Sequence, residues 1–109
     1  MKRKEPLSVF FFESETGNQP VRAFLLSLSK EDRKEVGSDI FAVQIGFPIR
    51  LWEIRSNVKD GICRILFSVE ENSIILLHGF IKKTQKTPPE DIETAERRYN
   101  IYMRLQNAR

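Results

Sequence analysis

Three short apolar segments in the second half of the chain constrain the fold more than any other feature. They read LWEIRS (Leu51–Ser56), ICRILFSV (Ile62–Val69) and IILLHGFI (Ile74–Ile81), and the turn sequences NVKDG and EENS separate them. Segments of this length that are rich in β-branched and aromatic residues are typical of strands. Because such short connections join neighbouring strands as hairpins, the sequence predicts an antiparallel three-stranded meander.

One further strand and three helices complete the predicted fold. Apolar residues recur at helical spacing after GNQP and after SKED, and TPPE has the pattern of a capping box. The predicted boundaries are a strand over Pro6–Ser14, a helix with Asn18 at its N-cap, a second helix that begins at Ser29–Asp32 and stops at Gly46 and Pro48, and a last helix from Thr87–Glu90 to about Leu105. The order β-α-α-β-β-β-α predicts a single α+β domain over residues 1–109, with the helices packed on one face of the sheet.

Composition restricts the kinds of site that this domain can carry. The chain has one cysteine, Cys63, which excludes an intramolecular disulfide and a zinc site built from several cysteines. No His/Cys/Asp/Glu spacing predicts a metal, no glycine-rich phosphate loop occurs, and no cofactor is expected. No apolar run approaches the ~18 residues of a membrane-spanning helix, so we expect a cytoplasmic protein that does not enter the membrane.

The positive charge of the chain is concentrated at its end. The net charge is +3, and residues 82–109 carry seven basic and four acidic side chains, whereas residues 1–81 carry eleven of each. The excess begins where the apolar segment IILLHGFI passes into KKTQK. Such a basic corner is either a solvated surface or a site for a polyanion.

Strand alternation predicts which basic residues share a face of the sheet. If NVKDG contains a four-residue turn, Glu53 lies opposite Arg64, with Arg55 on the same polar, open face. If the next turn is the two residues Glu71–Asn72, then Gly79 lies on the other side of Arg64. Since glycine has no side chain, the Arg64 guanidinium would face open space and could bind a phosphate with two hydrogen bonds.

Four further cations are predicted to surround this arginine, with Lys83 facing the site more directly than Lys82. They are Arg55, Lys82, Lys83 and Lys86. The alternative is that Arg64 only forms a cross-strand ion pair with Glu53, which contributes up to about 1 kcal/mol.

The remaining candidates are aromatic residues and the single histidine. In the predicted register His78 packs on the core rather than acting in catalysis. Trp52, Tyr99 and Tyr102 are side chains that can stack on nucleobases, although Trp52 is predicted to lie in the core.

The strings LWEIRS, GICRILF and LLHGFIKKTQKTP, together with the upstream TGNQPVRAFLLSL, resemble the HigB-like branch of the RelE/ParE toxin superfamily, including its phage-derived members. The resemblance covers most of the chain and implies a RelE-like fold. It also implies the toxin of a type II toxin–antitoxin system, neutralised by a helix-turn-helix antitoxin encoded nearby. Contact with operator DNA would occur only through the antitoxin. Two features depart from the family pattern. EDIETA, near the start of the last helix, has no tyrosine, and only Ile49 and Arg50 separate GFP from LWEIRS, a segment that is longer in many relatives.

Toxins of the HigB and RelE type cleave mRNA in the ribosomal A site, so the resemblance implies a metal-independent endoribonuclease. It matches basic site residues of the family to Arg64, Arg55, Lys82 and Lys83. We expect Arg64, Lys82 and Lys83 to act in catalysis, and Arg55, Lys86 and Lys59 to bind RNA. The RNA would supply its own 2′-hydroxyl as nucleophile, and the cations would stabilise charge on the phosphate. Two alternatives stay open: a ParE-like inhibitor of DNA gyrase without nuclease activity, and a degenerate toxin that only binds its antitoxin.

Overall fold

The computed structural model of the protein describes residues 5–46, 52–83 and 85–108. In chain order the elements are β1 (Ser8–Phe11), α1 (Pro20–Ser27), α2 (Lys30–Gln44), β2 (Glu53–Val58), β3 (Gly61–Glu70), β4 (Ser73–Lys82) and α3 (Pro89–Asn107). The α+β prediction is therefore confirmed.

The four strands form one mixed sheet in the order β1-β4-β3-β2. The hairpins β2–β3 and β3–β4 pair antiparallel, whereas β1 pairs parallel to β4. The predicted meander is thus one part of a larger sheet, whose fourth strand comes from the beginning of the chain. Parallel pairing is possible because α1 and α2 lie between β1 and the hairpins and return the chain to the other end of the sheet.

Both hairpin registers differ from the prediction. The β2–β3 turn consists of Lys59 and Asp60 alone, so Arg55, and not Glu53, is the direct partner of Arg64. The β3–β4 turn is Glu71–Asn72 as predicted, but the pairing shifts between Leu66 and Phe67.

This shift is a β-bulge that places one extra residue, Leu77, in β4, because Leu66 pairs with His78 while Phe67 pairs with Leu76. Beyond the bulge, every side chain of β4 points to the face opposite to the predicted one. Arg64 therefore pairs with Phe80, and Gly79 pairs with Ile65.

The sheet is covered on both faces, so the prediction that all helices pack on one face is wrong. On one face, which we call the α1/α2 face, the sheet and the first two helices bury residues that include Val21, Val36, Ile40, Ile65 and Phe67. On the other, which we call the α3 face, the buried set comprises Phe12, Leu66, Ile75, Leu77, Phe80 and Ala95. Adjacent residues of β3 belong to different cores because successive side chains of a strand point to opposite faces. Trp52, predicted to be a core residue, is 49% exposed.

The N-caps of the helices agree only in part with those predicted from the sequence. Ser29 caps α2 as predicted, because its Oγ accepts a hydrogen bond from the Asp32 amide at 3.1 Å. The predicted cap Asn18 is wrong, since Gln19 is the N-cap of α1 and makes no side-chain cap bond. Pro88, and not Thr87, is the N-cap of α3. Helix α2 ends at Gln44, and the predicted stop residue Pro48 lies outside the described residues.

Candidate phosphate-binding site

Two arginines lie side by side on the α3 face, near the end of the sheet at which β4 leaves it. Arg55 of β2 and Arg64 of β3 are direct cross-strand partners. The Arg55 side chain is 49% exposed, whereas the Arg64 side chain has no exposed surface. Two like charges at neighbouring positions oppose each other, so the surrounding groups must offset their repulsion.

A single carboxylate, Glu53, contacts both guanidinium groups. Its Oε2 lies 3.0 Å from Nε of Arg55, and its Oε1 lies 3.7 Å from Nε of Arg64. The same Oε1 also accepts a hydrogen bond from the hydroxyl of Thr87. The predicted ion pair between Glu53 and Arg64 is therefore present, although it runs diagonally between strands rather than between direct partners.

The segment that connects β4 to α3 lies over the two arginines. Arg55 Nη2 donates to the backbone oxygen of Gln85 at 3.2 Å, and Arg64 Nη1 donates to the backbone oxygen of Lys86 at 3.3 Å. Together with the Thr87–Glu53 bond, these contacts tie residues 85–87 to the sheet. We call this segment the 85–87 strap. The guanidinium of Arg64 is thus covered, whereas the sequence analysis placed it in open space.

The position of Gly79 explains this difference. A side chain added at Gly79 would meet Phe24 of α1 at 2.6 Å and Ile65 at 2.9 Å. Gly79 therefore permits close packing of α1 on the α1/α2 face, and the prediction that it clears space for Arg64 is wrong.

The predicted lysines lie at the same end of the sheet. Lys82 pairs with Ile62, which alternates with Arg64, so its side chain extends from the α3 face. Lys83 directly follows β4, and Lys59 occupies the β2–β3 turn, where its amide donates to Asp32 at 3.2 Å. All three side chains and that of Lys86 are exposed. Alternation thus favours Lys82 over Lys83 as the neighbour of the arginines, the reverse of the expectation from sequence.

A second polar cluster, which the sequence pattern did not predict, connects β4 to α3. His78 Nε2 lies 2.7 Å from Asp91 Oδ1, and Arg98 Nη1 lies 3.3 Å from His78 Nδ1 while it donates to the Leu77 carbonyl at 2.9 Å. Because a guanidinium only donates, His78 Nδ1 accepts and Nε2 carries the proton that is donated to Asp91.

The surroundings of this cluster indicate a structural role. His78 stacks on Phe80 with ring centroids 5.2 Å apart. Burial, followed by the nearby charge of Arg97, lowers the pKa of Arg98. Sequence gave no signal for this cluster, since only the bulge at Leu77 brings His78 to the face that α3 covers.

The described residues provide no site for a metal and no helix for a membrane. Within residues 5–46, 52–83 and 85–108, no three His, Cys, Asp or Glu side chains are grouped so that they could hold a metal ion. Over the same ranges, no helix combines the length and the apolar character needed to cross a bilayer. The arginine pair and the exposed lysines provide fixed positive charge and hydrogen-bond donors, which suit an anionic oxygen ligand.

Comparison with known proteins identifies the family. Neither the curated proteins nor the solved structures provide a match. Residues 23–100, which include the arginine pair, the 85–87 strap and most of α3, match the family described as "phage derived protein Gp49-like (DUF891)". This family is compatible with a toxin-type function. With most of its length matched, the chain belongs to the Gp49-like family of phage-derived proteins.

Proposed function

We propose that this protein is the toxin of a type II toxin–antitoxin pair and that it cleaves mRNA on the ribosome. Membership of the Gp49-like family supports a toxin-type function. The observation that carries the nuclease proposal is the arginine pair, Arg55 and Arg64, with exposed lysines at the exit of the adjacent strand. RNA offers a phosphate at every nucleotide, and positioned cations are the groups that bind it.

The chemistry proposed for this site uses the RNA as its own nucleophile. A 2′-hydroxyl loses its proton to water and attacks the adjacent phosphorus, and the bond to the 5′-oxygen of the next nucleotide breaks. The upstream fragment then ends in a 2′,3′-cyclic phosphate, and the 5′-oxygen of the downstream fragment takes a proton from Lys82 or Lys83 to become a hydroxyl. Negative charge on the phosphoryl oxygens grows during this step, and fixed guanidinium and ammonium groups stabilise it. Arg55 and Lys82 are accessible from solvent for this contact, and Lys83 and Lys86 extend the positive surface.

Arg64 can contact RNA only if the 85–87 strap moves. Its side chain is fully buried, and its Nη1 donates to the Lys86 carbonyl. A phosphate oxygen is an acceptor of the same geometry with a full negative charge, so it can replace that carbonyl. In this scheme Arg64 acts in the bound state, and the ribosome holds the RNA strand in line for attack. We therefore expect little cleavage of free RNA.

The proposed partner is a helix-turn-helix antitoxin encoded nearby, which would contact operator DNA on behalf of the complex. The exposed cations Lys59, Lys82, Lys83 and Lys86 lie at one end of the sheet. An antitoxin that covers this end with acidic residues would block access of RNA and shield the charges.

The test is induction of the protein without its antitoxin, followed by mapping of mRNA 5′ ends and measurement of translation. We expect new 5′ ends within coding regions for the wild type and their loss in Arg64→Ala and Arg55→Ala. Arg104→Ala is the matched control, because Arg104 is an exposed arginine of α3 that pairs with Glu15, far along the chain from the site. Wild-type cleavage by both Arg55→Ala and Arg64→Ala would exclude the assignment.

A second candidate function is inhibition of DNA gyrase without nuclease activity, which requires no contact between RNA and the buried Arg64. In this function the Arg64 guanidinium, which donates to the Lys86 carbonyl, would fix the 85–87 strap. In the same induction experiment, this function would give a DNA damage response and filamentation with intact mRNA. Growth that is unchanged by induction would instead identify a chain that only binds its antitoxin.

A further inference from the structure

A pocket lies on the α3 face, where its wall begins at Leu66, two residues along β3 from Arg64. It has a volume of about 230 Å³, and the residues that line it include Trp52, Leu66, Ser68, Ile92, Glu96 and Tyr99. Pockets for drug-sized ligands measure roughly 300–1,000 Å³. This pocket is therefore suited to a smaller, flat group, with Leu66 and Ile92 as apolar walls.

Two aromatic side chains of this pocket are available for stacking. Trp52 has the largest side chain of the sequence, yet it is 49% exposed. Its backbone carbonyl accepts a hydrogen bond from the Phe67 amide at 2.9 Å. A hydrogen bond to the Glu70 carboxylate, followed by its charge, raises the pKa of the Tyr99 phenol. The Trp52 backbone is thus fixed beside the pocket, and the partly exposed Tyr99 lines it as well.

Two polar groups of the pocket have no partner among the described residues. Ser68 Oγ is buried and makes no hydrogen bond. Glu96 is exposed and takes part in no ion pair or side-chain hydrogen bond within the described part of the chain. A buried hydroxyl without a partner is unusual in native proteins, and a ligand is one explanation. Together the groups offer one donor or acceptor at Ser68 and one acceptor at Glu96.

The pocket and the arginine pair lie along the same strand face. Arg64, Leu66 and Ser68 alternate on β3, and at about 3.4 Å per residue their Cα atoms lie roughly 7 Å apart in succession. A nucleotide whose phosphate contacts Arg55 can therefore direct its base toward Leu66 and Ser68. Single-stranded RNA is recognised in this way, by stacking of splayed bases on aromatic rings and by hydrogen bonds to their edges.

We propose that this pocket binds one unstacked base of the RNA whose phosphate lies at the arginine pair. The inference rests on the proposed nuclease function and names a base subsite for the same substrate. Trp52 and Tyr99 stack on the base, Ser68 contacts its edge, and Glu96 accepts a hydrogen bond from an exocyclic amino group. Cytosine is thus preferred over uracil, which has no amino group.

The experiment uses Trp52 as its own reporter, because it is the only tryptophan of the chain. The purified protein is titrated with cytidine monophosphate, uridine monophosphate and ribose 5-phosphate while tryptophan fluorescence is recorded. We expect saturable quenching by the two nucleotides, tighter for cytidine monophosphate, and no quenching by the sugar phosphate. Equal affinity for the two nucleotides would contradict the role of Glu96.

Substitutions of pocket residues test whether the nucleotide that quenches the fluorescence binds in the pocket. Tyr99→Ala is expected to weaken nucleotide binding roughly 5- to 150-fold, the range measured for loss of one stacking ring. Ser68→Ala is expected to weaken it about 2- to 12-fold, and it removes only one oxygen atom, so the fold is preserved. Phe41→Ala is the matched control, since Phe41 is an exposed aromatic residue of α2. Its affinity should equal that of the wild type.

Two results would overturn the proposal. One is the absence of saturable, base-dependent quenching. If the pocket variants then lost binding to the antitoxin, the pocket would be a contact site for the antitoxin and not for a base. The other is an affinity that neither Tyr99→Ala nor Ser68→Ala changes. Because the titration needs no ribosome, it fails or succeeds independently of mRNA cleavage, and the two proposals can be separated.

Discussion

The two faces of the sheet differ in how they use the same strands. The α1/α2 face is closed by two helices over a continuous apolar core, and its buried polar groups are satisfied locally, as in the 2.6 Å hydrogen bond from Ser56 Oγ to Asp39. The α3 face has a smaller apolar core beneath one helix, and the rest of it carries the arginine pair and the His78 cluster. Thus one face supplies stability through packing, while the other carries charged groups that are held by hydrogen bonds.

The largest expected difference between the faces concerns packing at Gly79. A methyl group there would lie 2.6 Å from Phe24 and 2.9 Å from Ile65, so the Gly79→Ala substitution overpacks the α1/α2 face. We expect it to lower the free energy of unfolding by about 1–3 kcal/mol, measured by chemical denaturation.

The control for this prediction is Gly37→Ala in α2, where an added methyl group meets no atom within 4 Å. Alanine is the better helix former, so this change is expected to raise the free energy of unfolding by about 0.5–1 kcal/mol. If both variants changed stability in the same direction, close packing at Gly79 would not explain the need for glycine.

The same position shows where prediction from sequence stops. Alternation identified the strands, and the helical spacing of apolar residues identified the helices, because these periods depend on local geometry. The register of Arg64 depended on a turn length and on a bulge at Leu77, neither of which changes the pattern of apolar residues. Because β4 contains one extra residue, Gly79 and His78 each lie on the face of the sheet opposite to the one predicted.

The position of α3 and the contacts of the candidate site could not be predicted for a related reason. An amphipathic pattern shows that one side of a helix is buried, but it does not show against which face of the sheet. The backbone oxygens of Gln85 and Lys86, which contact the two arginines, carry no signal in the sequence. Residue type and resemblance identified the residues of the candidate site, but they did not predict that Arg64 is buried beneath the 85–87 strap.

A smaller effect is expected on the α3 face, at the contact between His78 and Asp91. The Asp91→Ala substitution removes the acceptor that lies 2.7 Å from His78 Nε2 and leaves a partly buried donor without a partner. We expect a loss of about 1–3 kcal/mol in the free energy of unfolding, together with faster amide hydrogen exchange in α3.

Glu90→Ala separates this contact from the general effect of an acidic residue in the first turn of a helix. Glu90 and Asp91 both lie in the first turn of α3, but Glu90 is exposed and has no contact with His78. Its removal is expected to cost about 0.3–1 kcal/mol through the helix dipole alone. Equal losses in the two variants would show that the His78 contact does not stabilise the docking of α3.

The smallest effect at moderate pH belongs to the α1/α2 face, where Cys63 is fully buried. Burial, with a further contribution from the charges of Asp32 and Asp39, raises the pKa of its thiol from 9.0 to about 12. Below pH 9 the thiol is protonated in the folded and unfolded states and stability is unaffected. Above pH 9 only the unfolded state releases the proton, so stability falls by up to about 1.4 kcal/mol per pH unit until pH approaches 12.

In urea titrations the Cys63→Ala variant should be less stable than the wild type at neutral pH, because the substitution leaves a cavity. Between pH 9 and pH 11, however, the variant should lose less stability than the wild type. Parallel pH profiles for the two proteins would show that the thiol ionises in the folded state, and that the α1/α2 face does not exclude water from Cys63.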